Sequence, residues 1–188
     1  RVSFVDKFTG NLAESARTPS PLAAALKSEF PEIEEVFRLQ PGKEIIAKGE
    51  EKFEENNVYY ADPEILKILS FKMISGNPST ALSDPFSVVI SKSIAEKYFG
   101  NDNPLGKTLN TKYAYDLTVK GVYKDFPKNS HIYPELIIPI SKILGVKTEI
   151  SKMSGVSDWG LRRLYTYFLL KKNSSCEEIL KKFPEFYR

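Results

Sequence analysis

Apolar and polar residues alternate along this chain with two different periods, and the switches between them predict a mixed set of strands and helices. Val2, Phe4 and Val5 predict a short first strand, after which the chain stays polar to Thr18-Pro19-Ser20-Pro21. There Ser20 is placed to cap a helix and Pro21 to fill its first position, where no N–H is needed. Leu22, Ala25, Leu26 and Phe30 recur at near-helical spacing until Pro31 stops the run. Val36-Phe37-Arg38-Leu39 reads as a strand, Pro41-Gly42 as a turn, and Glu44-Ile45-Ile46-Ala47 as the strand returning beside it. Residues 48–57 are polar except for Phe53 and read as a hairpin end, followed by the strand Val58-Tyr59-Tyr60.

The same devices repeat downstream. Asp62-Pro63-Glu64 opens a short helix with Ile65, Leu66 and Leu69 on its buried face, and Gly76-Asn77-Pro78 closes that unit. Ser87-Val88-Val89-Ile90 is a strand feeding a helix that carries Ile94, Ala95, Tyr98 and Phe99 on one face. Two starts compete for this helix: Ser91 as cap, or Ser93 with Glu96 as a capping box. Gly100 supplies its left-handed stop. Tyr115-Asp116-Leu117-Thr118-Val119 alternates as a half-buried strand, and Gly121 marks a bulge before Val122-Tyr123. Pro134-Glu135-Leu136-Ile137-Ile138-Pro139-Ile140 is a strand between prolines, residues 141–158 are a weakly patterned connection, and Tyr165-Thr166-Tyr167-Phe168-Leu169-Leu170 is the strongest strand. Ser174-Ser175 caps a last helix from Cys176, with Ile179, Leu180 and Phe183 as its stripe. Because the connections vary in length, α+β fits better than a doubly wound parallel sheet.

Composition narrows this picture. The 188 residues are 41% hydrophobic and 12% aromatic, enough to bury the core of one domain or of two intertwined subdomains. The net charge is only +3, and the basic pairs Arg162-Arg163, Lys171-Lys172 and Lys181-Lys182 are scattered. That pattern describes solvated edges and excludes a nucleic-acid stripe. The single cysteine, Cys176, forbids an intramolecular disulfide and leaves the compartment open. No run of about 18 apolar residues crosses a membrane, and no signal peptide is visible. The opening Arg1-Val2-Ser3-Phe4 reads as a piece of a longer chain.

Candidate chemistry is sparse. A lone His131 excludes a two-histidine metal site, and a lone Cys176 excludes a cysteine cluster. A serine or cysteine triad would need His131 as base, yet Lys128-Asn129-Ser130-His131 reads as a turn entering a strand. The pairs Glu34-Glu35, Glu50-Glu51 and Glu54-Glu55 sit in polar stretches and are expected to be solvated, with nothing to drive their pKa values apart. Gly100 and Gly106-Lys107-Thr108 are separated by five residues and follow a helix, whereas a phosphate loop has four and follows a strand. We therefore expect no catalytic, cofactor-binding or metal-binding residue and no enzyme. Aromatic residues crowd the middle third, including Tyr123. Most are expected in the core, and an exposed subset of Phe71, Phe86, Tyr98, Phe99, Tyr113 and Tyr115 is expected to form a partner surface.

Several ordered segments go further. They are Ala16-Arg17-Thr18-Pro19-Ser20-Pro21-Leu22 with Phe30-Pro31-Glu32-Ile33, then Tyr60-Ala61-Asp62-Pro63-Glu64-Ile65-Leu66-Lys67-Ile68-Leu69-Ser70-Phe71 and Gly76-Asn77-Pro78. Next come Val88-Val89-Ile90-Ser91, Ala95-Glu96-Lys97-Tyr98-Phe99-Gly100 and Asn103-Pro104-Leu105-Gly106-Lys107-Thr108-Leu109. Val119-Lys120-Gly121-Val122-Tyr123-Lys124-Asp125-Phe126-Pro127, Asn129-Ser130-His131, Trp159 and Tyr165-Thr166-Tyr167-Phe168-Leu169-Leu170 complete the series. In this order and spacing the chain resembles the periplasmic core domain of MacB/FtsX-type ABC transporter permeases, in the form common in Bacteroidetes.

The resemblance implies an α+β fold of two subdomains. A discontinuous porter-like α/β unit from residues 1–57 and 128–188 would hold an inserted, sabre-like mixed α/β unit from 58–127. It implies a domain hung between two transmembrane helices of an inner-membrane permease, lying in the periplasm with both ends on one side. A terminal strand would follow Phe183-Pro184-Glu185-Phe186. It further implies a non-catalytic role without cofactor, coupling the motion of a cytoplasmic ATP-binding subunit to a substrate or a periplasmic adaptor or lipoprotein. Relatives of this kind export drugs, peptides or toxins, move lipoproteins, or regulate cell-wall hydrolases. An extracytoplasmic sensor module for a peptide or lipoprotein is the alternative, and a hydrolase built on His131 is a third reading.

Overall fold

The computed structural model describes residues 4–6, 13–112, 115–127, 129–144, 159 and 162–186. They form two compact units: residues 1–38 with 148–188, and residues 39–147. The stretches at the two ends of the sequence therefore build one unit and the stretch between them the other, divided at 38/39 and 147/148.

In the first unit β1 (Phe4–Asp6) pairs antiparallel with β2 (Ala13–Ser15). A separate ladder runs β3 (Thr18–Pro19), β11 (Arg162–Leu170) and β4 (Ile33–Lys48), of which residues 33–38 belong to this unit. Helix α1 (Leu22–Glu29) buries Leu22, Ala23 and Leu26. Ser20 does not cap it. Its hydroxyl instead accepts from Arg38 Nη1 at 3.0 Å, and α1 starts at Pro21 without a side-chain cap. Helix α4 (Cys176–Phe186) does start on its expected cap, Ser175, whose hydroxyl accepts from the Glu178 N–H at 3.1 Å. Its Ile179 joins Leu22, Leu26, Phe30 and Ile33 in the core, with Phe183 packed against them. Leu180, expected on that stripe, is exposed, because it lies one position and so about 100° around the helix from Ile179.

The second unit is a closed barrel. Strand β4 pairs with β5 (Glu51–Ala61), β5 with β10 (Leu136–Pro139), and β10 with β7 (Ser87–Ser91). β7 then pairs with β9 (Asp116–Tyr123), β9 with β8 (Thr108–Thr111), and β8 returns to β4. Parallel pairs (β5–β10, β7–β9) and antiparallel pairs mix in the ring. Strand β6 (Met73–Gly76) adds to β9 outside the ring. Following the registers round, Ile46, Leu117, Val119, Val88, Ile90, Leu136 and Val58 share one face, and all are fully buried. A barrel of about six strands has an interior only wide enough for such side chains. Residues 39–57 and 136–139 supply β4, β5 and β10 to this ring, which is why they belong with the middle of the chain.

Pro41-Gly42 is not a turn. Strand β4 runs straight through it, Pro41 opposite Tyr59 and Gly42 opposite Val58, and the reversal comes at Gly49 with φ +62°. Gly42 serves a close approach instead: a Cβ there would stand 2.7 Å from Tyr60 Cε2. Gly42→Ala should therefore cost about 1–3 kcal/mol, since Tyr60 is buried and held at its hydroxyl and has no room to move aside. A denaturation midpoint unchanged in that variant would show that Tyr60 yields freely. Ser91 wins the competition for α3 (Lys92–Phe99), accepting from the Ile94 N–H at 3.3 Å, and Gly100 ends the helix at φ +61°. Gly121 sits at the expected irregularity, where the β7–β9 register shifts. A short helix α2 (Ile65–Ile68) completes the labelled elements, residues 141–144 are helical, and most of 141–158 lies outside the described residues. Among the described residues no helix is long and apolar enough to cross a membrane.

Candidate functional site

The β4–β5 hairpin carries two carboxylates that the sequence reading did not single out or expected in water. Glu44 and Glu55 face each other in register, only 2% and 5% exposed. Directly opposed like charges are unfavourable on a sheet, so each must be matched by donors. Glu44 Oε1 accepts from the hydroxyls of Tyr60 and Tyr115. Glu55 Oε1 accepts from the Tyr98 hydroxyl and from Lys97 Nζ at 2.6 Å. The remaining oxygen of Glu44 is buried with no hydrogen-bond partner among the described residues.

Glu55 therefore corrects the expectation that Glu54-Glu55 is solvated. Alternation splits the pair: Glu54 is exposed beside Lys43, while Glu55 turns inward beneath α3. Glu34, Glu50 and Glu51 are exposed and Glu35 partly so, paired with Lys27 at 2.6 Å.

Burial pushes the hydroxyls of Tyr60, Tyr98 and Tyr115 well above the ordinary value of 10.0, and the carboxylate each one serves pushes them further. All three stay protonated donors through the neutral range. Their folded-state values are raised, so the associated stability is intact below about pH 10 and is lost as pH rises beyond it, where the unfolded chain releases protons that the folded chain holds. Spectrophotometric titration should show these tyrosines ionising only together with unfolding. Their ionisation at pH 10 in a folded protein would contradict the burial.

The aromatic residues nominated from the sequence separate into distinct places. Phe71 is buried against Tyr123 and Phe126, with ring centroids 4.8 and 4.6 Å away. Tyr98 and Phe99 are half-buried on α3, Tyr98 serving Glu55 and Phe99 lying under Lys107 Nζ at 5.6 Å. Phe86 and Tyr115 come together around Lys142, whose Nζ lies 3.7 Å from each ring centroid. Phe86 is 49% exposed. Tyr113 lies outside the described residues. The sequence carries one signal for Glu44: it falls two residues before the buried Ile46, on the inward face of the strand. Lys97 and Lys142 carried none.

His131 and Cys176 are both exposed. Among the described residues no group of His, Cys, Asp and Glu is placed to hold a metal ion. The carboxylates and tyrosines thus form a charged lock inside the barrel wall, with an aromatic face at Phe86 and Tyr115.

The model of the MacB-like periplasmic core domain family matches residues 2–185. A domain of a Porphyromonas gingivalis protein assigned as a permease superposes with a TM-score of 0.76 at 25% identity, covering 94% of this chain and 72% of that one. The periplasmic region of MacB from Actinobacillus actinomycetemcomitans gives 0.66 at 19% identity, over 91% and 73% of the two chains. The extracellular domain of the noncanonical ABC-type transporter YknZ from Gram-positive bacteria gives 0.58 at 18%, over 92% and 80%. These last two likenesses speak for the fold. Comparison with curated proteins gives no significant match. With the family model spanning nearly all its length, the chain belongs to the MacB-like periplasmic core domain family.

Proposed function

We propose that this extracytoplasmic domain of a MacB/FtsX-type permease couples ATP-driven motion of the membrane helices to a substrate or adaptor protein outside the membrane. The observation that carries the reading is the family match across residues 2–185. The partners are a cytoplasmic ATP-binding subunit, reached through the rest of the permease, and an adaptor or lipoprotein outside. On this reading the unit built from the chain ends is the porter-like subdomain and the barrel unit the sabre-like one. No step of the role needs a reacting group on this domain; it needs rigid elements with two arrangements.

Two measurements test it. The reading frame that encodes the chain should carry an apolar span of about 20 residues on each side; absence from both flanks overturns the placement. In the reconstituted permease with its ATPase subunit, amide hydrogen exchange in this domain should change between ATP hydrolysis and a hydrolysis-dead ATPase. Identical exchange in the two states overturns coupling. The alternative, a sensor for a peptide or lipoprotein without transport, predicts that deleting the domain leaves transport intact and abolishes a signalling response.

A further inference from the structure

The geometry points to a cation-recognition cage formed by Phe86, Tyr115 and Glu44, built for a lysine side chain of a partner protein and held by the chain's own Lys142 as internal occupant. Its walls are set without help from Lys142. Phe86 is fixed at its backbone, its N–H donating to Asp84 Oδ1 at 2.7 Å and its carbonyl accepting from the Thr118 N–H at 2.8 Å. Tyr115 is fixed at both ends, its carbonyl accepting from Thr111 Oγ1 at 2.6 Å and its hydroxyl donating to Glu44. The negative charge that a cage needs is therefore hydrogen-bonded to the hydroxyl of one of its own walls. Glu44 is itself buried and keeps one oxygen without a partner among the described residues.

Lys142 sits between the two rings at 3.7 Å from each centroid, the arrangement in which an ammonium gains most from ring faces. Among the described residues no carboxylate forms an ion pair with it, and its ammonium lies against the two ring faces. Desolvation lowers its pKa and Glu44 opposes that shift, as expected for an ammonium drawn partly out of water toward a fixed anion. Two features argue for a lysine delivered by protein. The present occupant is a lysyl ammonium, so the spacing of the rings already fits that group. Phe86 is half exposed, so a group from outside can reach the same ring.

This inference rests on the proposal that the domain meets a protein outside the membrane, but its test is independent of transport. The experiment follows backbone amide shifts of this chain during titration with the blocked peptide Gly-Gly-Lys-Gly-Gly, using wild type, Lys142→Ala and the double variant Lys142→Ala/Phe86→Ala. Emptying the cage should give saturable millimolar binding, with shifts around Phe86 and Tyr115. Wild type should bind at least about tenfold more weakly, because Lys142 competes, and removing Phe86 should cost about tenfold again. A norleucine peptide should not bind. Lys142→Ser takes the place of Lys142→Ala if that variant loses its fold by circular dichroism. The cage is overturned by no saturable binding to the emptied variant, by equal binding of norleucine, or by indifference to Phe86→Ala. Binding of spermidine or tetramethylammonium without the peptide overturns the protein partner. None of these results bears on whether exchange in the permease responds to ATP.

Discussion

Tyr123→Ala is expected to destabilise the barrel unit by about 4 kcal/mol, lowering its melting temperature by about 15 °C. Among the described residues Tyr123 is the largest of the fully buried side chains, at 0% exposure on β9. Its ring meets Phe71 edge-on at 4.8 Å and Phe126 at 6.2 Å, and its hydroxyl donates to the Pro134 carbonyl at 2.9 Å. Truncation removes the ring, strands two aromatic partners around a cavity and leaves that carbonyl without its donor. Tyr123→Phe separates these effects, because it deletes the hydrogen bond alone and should cost about 1–2 kcal/mol. Chemical denaturation measures both. Equal losses in the two variants would mean that the hydroxyl, not the packing, dominates, and a loss under about 2 kcal/mol for alanine would mean that the cluster closes over the gap.

Glu44→Ala should cost about 3–4 kcal/mol, because the buried Tyr60 hydroxyl and the partly buried Tyr115 hydroxyl lose their shared acceptor at once. Glu44→Gln keeps the shape and one acceptor oxygen, and should cost about 1–2 kcal/mol. The decisive variant is the triple change Glu44→Leu, Tyr60→Phe, Tyr115→Phe. It removes the polar group together with both its donors, so it should recover most of the stability that Glu44→Ala loses. If glutamine costs as much as alanine, the carboxylate's charge organises the site. If the triple variant is no better than alanine, the lock contributes net stability as a network and is not merely tolerated.

The strand–helix succession was legible because it depends on local signals. Pro31 stops α1, Ser91 and Gly100 bracket α3, and Ser175 opens α4, each through the backbone donors and dihedrals of its neighbours. The scarcity of reactive residues was equally legible, since one histidine and one cysteine are facts of composition. Family membership could also be read, because ordered short motifs survive where no single motif is specific.

Tertiary structure decided the rest. Pro41-Gly42 has the composition of a turn, yet it stays extended because Tyr60 packs over Gly42 and pairing with β5 continues past it. Glu54 and Glu55 are chemically identical neighbours that alternation turns to opposite faces, and the fold decides that Glu55 meets Lys97 and Tyr98 while Glu54 stays in water beside Lys43. Closure of the barrel drew residues 39–57 and 136–139 into the middle unit, which no local pattern announces, because pairing of β8 with β4 joins residues more than sixty positions apart. Periodicity records which side of a strand is apolar. What lies against that side, and so whether a carboxylate meets water or a tyrosine hydroxyl, is a property of the assembled fold.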